Sequence, residues 1–263
     1  MMHVFNGFFS TTFKWLFLIL LYQGLASSEA QELSEKGAVK LATGEGYAPF
    51  VGENLLEGGW SVDVVKQTFK QLKLDMELEV VPWERALKWT QDKHVLAAFP
   101  FVYSEARAQQ FLYSNPINYV PVHMYVAQNS DFLFIEQLKG KRLCFPFDYS
   151  IGAIEKIIIE RFNMNVNRAK DGFACIQHVN KGWSDAGITN GYIDATRINA
   201  GSDEKEDSIR VFDELLGNIP LYLVISKQYP QGQKWIEEFN HGLKLLESSG
   251  KKSTIDKLHM QNL

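Results

Sequence analysis

One guanidinium stands out in the stretch Ala97 to Val120, "AAFPFVYSEARAQQFLYSNPINYV". Arg107 lies between the aromatic residues Phe99, Phe101 and Tyr103 on one side and Phe111 and Tyr113 on the other. A planar guanidinium grips a carboxylate through two charge-assisted hydrogen bonds, and aromatic neighbours that exclude water strengthen that contact. The plainer reading is an exposed arginine at a helix start, paired with Glu105. A second chemistry-bearing stretch is "FPFDYS", where Tyr149 and Ser150 precede the apolar run from Ile151. Backbone N–H groups at a helix start form an anion site, and Ser150 serves equally as a plain N-cap. Tyr47, Trp83 and Phe101 stand at strand ends, where clefts of α/β sheets open, and are candidate aromatic walls. Phe50 and Trp60 read as core or hairpin packing. Glu84 and Glu105 would be the candidate acids of an enzyme. No nucleophile elbow, Ser/His/Asp arrangement or CxxC occurs, and the six histidines are scattered. The sequence therefore assigns no catalytic residue, metal or cofactor.

The bulk numbers bound the class. At 263 residues the chain is long for one core and comfortable for two lobes. A formal net charge of -4 with no basic run argues against a nucleic-acid partner. The N-terminus carries Lys14, then the apolar "WLFLILLY", then small residues. That pattern is a secretory signal peptide over residues 1–30, cleaved after Ala26 or Ala30. The apolar run is well short of the roughly 20 residues a membrane span requires, so a soluble, periplasmic, monomeric mature protein is expected. Cys144 and Cys175 remain as an even pair. In an oxidising compartment they form a disulfide, or else they are two buried thiols.

Elements that would position these residues follow from periodicity. "AVKLATG" reads as a strand ending in a glycine turn. Val62, Val65, Phe69 and Leu72 mark one face of a helix, and Met76, Leu78 and Val80 alternate as a half-buried strand. "WERALKWTQDK" and "HVLAAFPF" continue as helix and strand, the βαβ rhythm of a mainly parallel sheet. The rhythm restarts after the extended "NYVPVHMYVAQN". A strand at Lys141 to Phe145, a helix striped by Ile151, Ile154, Ile158 and Phe162, and a strand ending "GWSDAGITNGYIDATRIN" follow. "GSDEKEDS" reads as a solvated loop, "IPLYLVISKQYP" as a strand, and the C-terminus as two helices broken at Gly250. The expected architecture is α/β with two lobes, 37–122 plus 225–263 and 123–224, and no sequence repeat.

The ordered set of motifs resembles the polar-amino-acid family of bacterial extracellular solute-binding proteins. It comprises Tyr47-x-Pro49-Phe50, Gly59-x-x-x-Asp63, "VPWERAL", Ser104-Glu105-x-Arg107, "FLYSNPI", "LKGKRLCFPFDYS" and "NGYIDAT", and it covers nearly all of the mature chain. The resemblance implies a type II periplasmic-binding-protein fold, or Venus flytrap, that closes about a hinge on a small ligand. It makes Arg107 the holder of a ligand carboxylate and Tyr47, Trp83, Phe101, Tyr149, Ser150 and Asn199 its companions. Two departures stand out. Asp148 puts a carboxylate where a small residue is commoner. Asn199 occupies the position of the family's ammonium-binding aspartate, and a neutral amide cannot supply that ion pair; Glu84 or Asp185 would have to substitute. Asp194 reads as structural. The implied function is capture of a small polar, carboxylate-bearing solute for an ABC permease or a membrane sensor. The alternatives are a dehydratase-like enzyme on the same fold and a signalling module that has lost ligand binding.

Overall fold

The computed structural model describes residues 38–147, 151–192 and 209–263. The segment 1–30 expected to be a signal peptide, the residues Asp148, Tyr149 and Ser150, and the stretch holding Asp194, Asn199 and the charged run 201–208 lie outside the described residues.

The first lobe follows the hydrophobic pattern closely. Strand β1 (Val39–Thr43) leads through a glycine-rich hairpin to helix α1 (Trp60–Gln71), strand β2 (Met76–Val80), helix α2 (Trp83–Gln91) and strand β3 (Ala97–Val102). β1 pairs in parallel with both β2 and β3. In β3, Ala97 to Phe101 are all buried, as expected of a strand covered on both faces by helices. Val65 and Phe69 of the predicted α1 stripe are fully buried. Each such side chain contributes about 1.5–3 kcal/mol on burial.

A single turn, α3 (Glu105–Ala108), and the short strand β4 (Phe111–Tyr113) lead into β5 (Asn118–Ala127). The second lobe then repeats the plan: β6 (Arg142–Pro146), α4 (Ala153–Arg161), β7 (Asn165–Ala169), α5 (Gly172–Asn180), β8 (Ala186–Asn190) and β9 (Ile209–Val211). β6 is parallel to β7 and β8. Strand β10 (Gly217–Ser226) returns to the first lobe, and helices α6 (Gly232–Ser248) and α7 (Lys251–Met260) close it. Phe239 of α6 meets Phe69 of α1 at 5.6 Å between ring centres. The two helices approach so closely that a Cβ on Gly242 would lie 3.0 Å from the Thr68 carbonyl.

Sheet topology shows a repeat that the sequence hides. One lobe runs β2-β1-β3-β10-β4 and the other β7-β6-β8-β5-β9. In each, a long strand belonging to the crossover inserts antiparallel between the third and the last strand. The crossover strands pair with each other over Asn118–Val122 and Gly217–Leu221, which is the only strand pairing between the lobes among the described residues. Four elements, β4, β7, α5 and β9, have no counterpart in the sequence reading. β4 and β9 are three residues long, and β7, "NVNRA", carries no apolar alternation.

Candidate functional site

Because the strands flanking each crossover run parallel, their carboxyl ends and the loops that follow lie along one edge of each lobe. Between these edges lies a cavity of about 650 Å³. The first lobe contributes Gly46 and Tyr47 after β1 and Val102 at the end of β3. The second contributes Cys144, Phe145 and Pro146 of β6, Gly172, Phe173 and Ile176 of α5, and Ile188 and Thr189 of β8. Its base is the crossover pair itself, with Val120, Val122 and Tyr125 from β5 and Ile219 from β10. No charged side chain lines it among the described residues.

Arg107 stands beside this cavity, one residue removed from its wall. Ser104 caps the turn by accepting the Arg107 backbone N–H at 3.2 Å, which holds the arginine at a fixed place after β3. Its guanidinium donates to the carbonyl of Val102, a cavity residue, and lies over the Phe101 ring, 5.0 Å from the centre. Such a cation–π contact stabilises by about 0.5–2 kcal/mol, depending on desolvation. No carboxylate of a described residue forms an ion pair with Arg107; the pairing with Glu105 weighed from sequence is absent among those residues. One guanidinium N–H is thus committed and the half-buried group keeps further donors.

The three aromatic candidates form a chain leading back from Arg107. Phe101 packs edge-on against Trp83 at 5.4 Å, and Trp83 meets Tyr47 edge-on at 6.1 Å. Trp83 lies directly on the backbone of Gly44, where a Cβ would fall 1.9 Å from the indole, and its Nε1 donates to the Glu45 carbonyl at 3.1 Å. Of the four described candidates, Tyr47 lines the cavity, while Arg107, Phe101 and Trp83 form the array beside it. The Tyr47 hydroxyl pKa is pushed up to about 12, first by burial and then by the Glu155 carboxylate. It therefore stays a neutral donor at physiological pH.

Glu155, buried in the first turn of α4, went unnoticed in the sequence because "IGAIEK" reads as a helix start with an outward glutamate. Tyr125 and Thr189 were missed for another reason: nothing in an alternating strand distinguishes a cavity residue from a core one. Cys144 and Cys175 are bridged, joining β6 to α5 across 31 positions, and both line the cavity. The bridge ties together two elements of one cavity wall. Asp185, offered from sequence as a possible ammonium partner, is instead held by Arg142, whose Nε and Nη2 donate to it at 2.9 and 2.8 Å. This pair sits at the amino ends of β6 and β8, away from the cavity edge. Glu84 and Glu105 are exposed in the first turns of α2 and α3.

Among curated proteins, none matches this sequence. Solved structures do match in fold. The VFT2 domain of Bordetella pertussis BvgS, a double mutant, superposes with a TM-score of 0.67 at 18% identity, covering 88% of this chain and 97% of that one. The probable amino-acid ABC transporter extracellular-binding protein ytmK of Bacillus subtilis gives 0.64 at 19%, covering 83% and 96%. The arginine-, lysine-, histidine-binding protein ArtJ of Geobacillus stearothermophilus gives 0.60 at 21%, covering 83% and 94%. The repeated β-sheet plan with its two crossover strands is therefore that of the type II periplasmic-binding proteins. The family model of bacterial extracellular solute-binding proteins, family 3, matches residues 39–262, and the chain belongs to that family.

Proposed function

We propose that this protein captures a small, carboxylate-bearing, amino-acid-like solute in the interlobe cavity, in the periplasm, and presents it to an ABC importer or a membrane sensor. Arg107 is the carboxylate anchor in this reading, with Tyr47 as the neutral donor beside it and Trp83 and Phe101 as the packed backing that fixes both. The observation that carries it is the position of Arg107. Its guanidinium is seated on Phe101, capped in place through Ser104, without a carboxylate partner among the described residues, and bonded to the cavity residue Val102. The cavity volume supports it too, since small-molecule sites span roughly 300–1,000 Å³. Tyr149, Ser150 and Asn199 complete the site in this proposal through the family resemblance alone.

A thermal-shift screen against amino acids, dicarboxylates, aromatic carboxylates and polyamines tests it, because a ligand that binds only the native state raises the apparent Tm. One carboxylate class should give a clear shift. Arg107→Ala should weaken that ligand by about 10- to 100-fold, the loss of a charge-assisted hydrogen-bonding partner. Turnover of the bound solute, read by mass spectrometry, would point to an enzyme instead. Equal affinity in Arg107→Ala would remove the anchor assignment.

A further inference from the structure

The wall chemistry of the cavity narrows the ligand class. Its sides are built from Val120, Val122, Ile176, Ile188, Ile219 and Phe145, all uncharged and apolar. Phe173, which also lines it, is half exposed although it is a large apolar residue. A ligand side chain carrying a guanidinium, ammonium or carboxylate would lose its hydration against these walls with no opposite charge from a described lining residue, which strongly opposes binding.

One polar group stands out in this apolar surround. Tyr125 lines the cavity and is 4% exposed as a residue, and its hydroxyl forms no hydrogen bond with a described residue. Burial alone raises its pKa, without any hydrogen-bonding contribution, so the hydroxyl is neutral at physiological pH. The ring lies against Gly187 of β8, where a Cβ would fall 2.2 Å from Cζ, so the absent side chain there is what lets the tyrosine occupy its place. A hydroxyl on a cavity wall that forms no hydrogen bond with a described residue is a waiting donor or acceptor.

Resting on the solute-binding reading above, we propose that the cleft selects ligands whose side chain is a large apolar group, aromatic in size, ending in one neutral hydrogen-bonding atom, and that the Tyr125 hydroxyl receives that atom. Tyr125 is then the residue that sets side-chain specificity, while Arg107 holds the carboxylate common to many solutes.

Isothermal titration calorimetry with L-tyrosine, L-phenylalanine, L-arginine and L-glutamate tests this on the wild type and on Tyr125→Phe. The substitution removes only an oxygen, so folding is retained, and circular dichroism checks that. The two aromatic probes should bind at least about 10-fold tighter than the two charged ones. L-tyrosine should exceed L-phenylalanine by about 3- to 10-fold, the worth of one neutral hydrogen bond, and Tyr125→Phe should erase that difference. Tighter binding of L-arginine or L-glutamate, lost in Arg107→Ala, overturns the apolar specificity and leaves the solute-binding reading standing. An unchanged tyrosine-to-phenylalanine ratio in Tyr125→Phe overturns the role of that hydroxyl. No binding by any of the four probes overturns the specificity proposal, and the broader carboxylate panel then decides the binding reading separately.

Discussion

The two lobes share one strand plan and are locked by different means. The first is closed by helices: α6 and α7 return from the C-terminus and pack on α1, and a buried polar contact fastens them. His259 of α7 and Asp63 of α1 meet at 3.1 Å with both residues almost fully buried. Trp60 stacks on His259 at 6.1 Å and donates to Asp256 at 2.7 Å. The second lobe has no equivalent pair of closing helices among its described residues. Its fastening is covalent, the Cys144–Cys175 bridge between β6 and α5. The two helices follow the return strand β10 and so belong to the first lobe, whereas the bridge joins two elements of the second. The staple also lies in the cavity wall, so it stiffens the face that meets the ligand.

The largest expected effect breaks the comparison on the covalent side. Cys144→Ala combined with Cys175→Ala should destabilise the protein by about 4 kcal/mol, from the loop entropy a bridge of this span removes from the unfolded chain. Hydrogen exchange should show the loss of protection concentrated in β6, β7 and α5. Equal loss in α1 and α6 would mean that the lobes are not locked separately. The next effect is on the helical side. His259→Leu leaves the buried Asp63 carboxylate with only Gln67 as a side-chain partner among the described residues, at a cost of about 2 kcal/mol in denaturant unfolding. Asp63→Leu added to it should recover part of that loss, because the stranded charge is gone.

A smaller effect sharpens the contrast through pH. Asp185 has its pKa lowered, chiefly by its hydrogen bond from Arg142. A carboxylate with a depressed folded pKa stabilises above its unfolded value, and that contribution is lost as pH falls through the folded value. The Arg142 side chain is 44% exposed, so screening limits the pair to about 1 kcal/mol at neutral pH. Asp185→Asn should remove this acid-side dependence in thermal unfolding measured from pH 7 downward, and the change should appear in the second lobe only. The effects of Arg107→Ala and Tyr125→Phe on ligand affinity complete the series. They leave the locks of both lobes untouched.

Much of this molecule could be read along the chain. The α1 stripe, the alternation of β2, the extended run of β5 and the break at Gly250 each produce their element locally, because helix and strand periods differ and glycine tolerates the left-handed turn it adopts there. The ordered motifs carried the family and the two-lobed fold, and the cysteine pair was correctly suspected as a bridge, although the sequence alone could not choose it over two thiols. What stayed illegible depends on long-range pairing. β7 is too polar to announce itself and exists because β6 lies beside it. The lobe repeat is a matter of strand order, to which sequence similarity is blind. Arg107 could be singled out by its neighbours in sequence, but its seat on Phe101 and its bond to Val102 required β3 and the following turn to fold together. Tyr125 is the sharpest case. In the sequence it is one more aromatic in an alternating strand. Only the packing of β5 against the glycine of β8, and the apolar walls brought in from both lobes, place its hydroxyl on the wall of a cavity with no hydrogen-bond partner among the described residues.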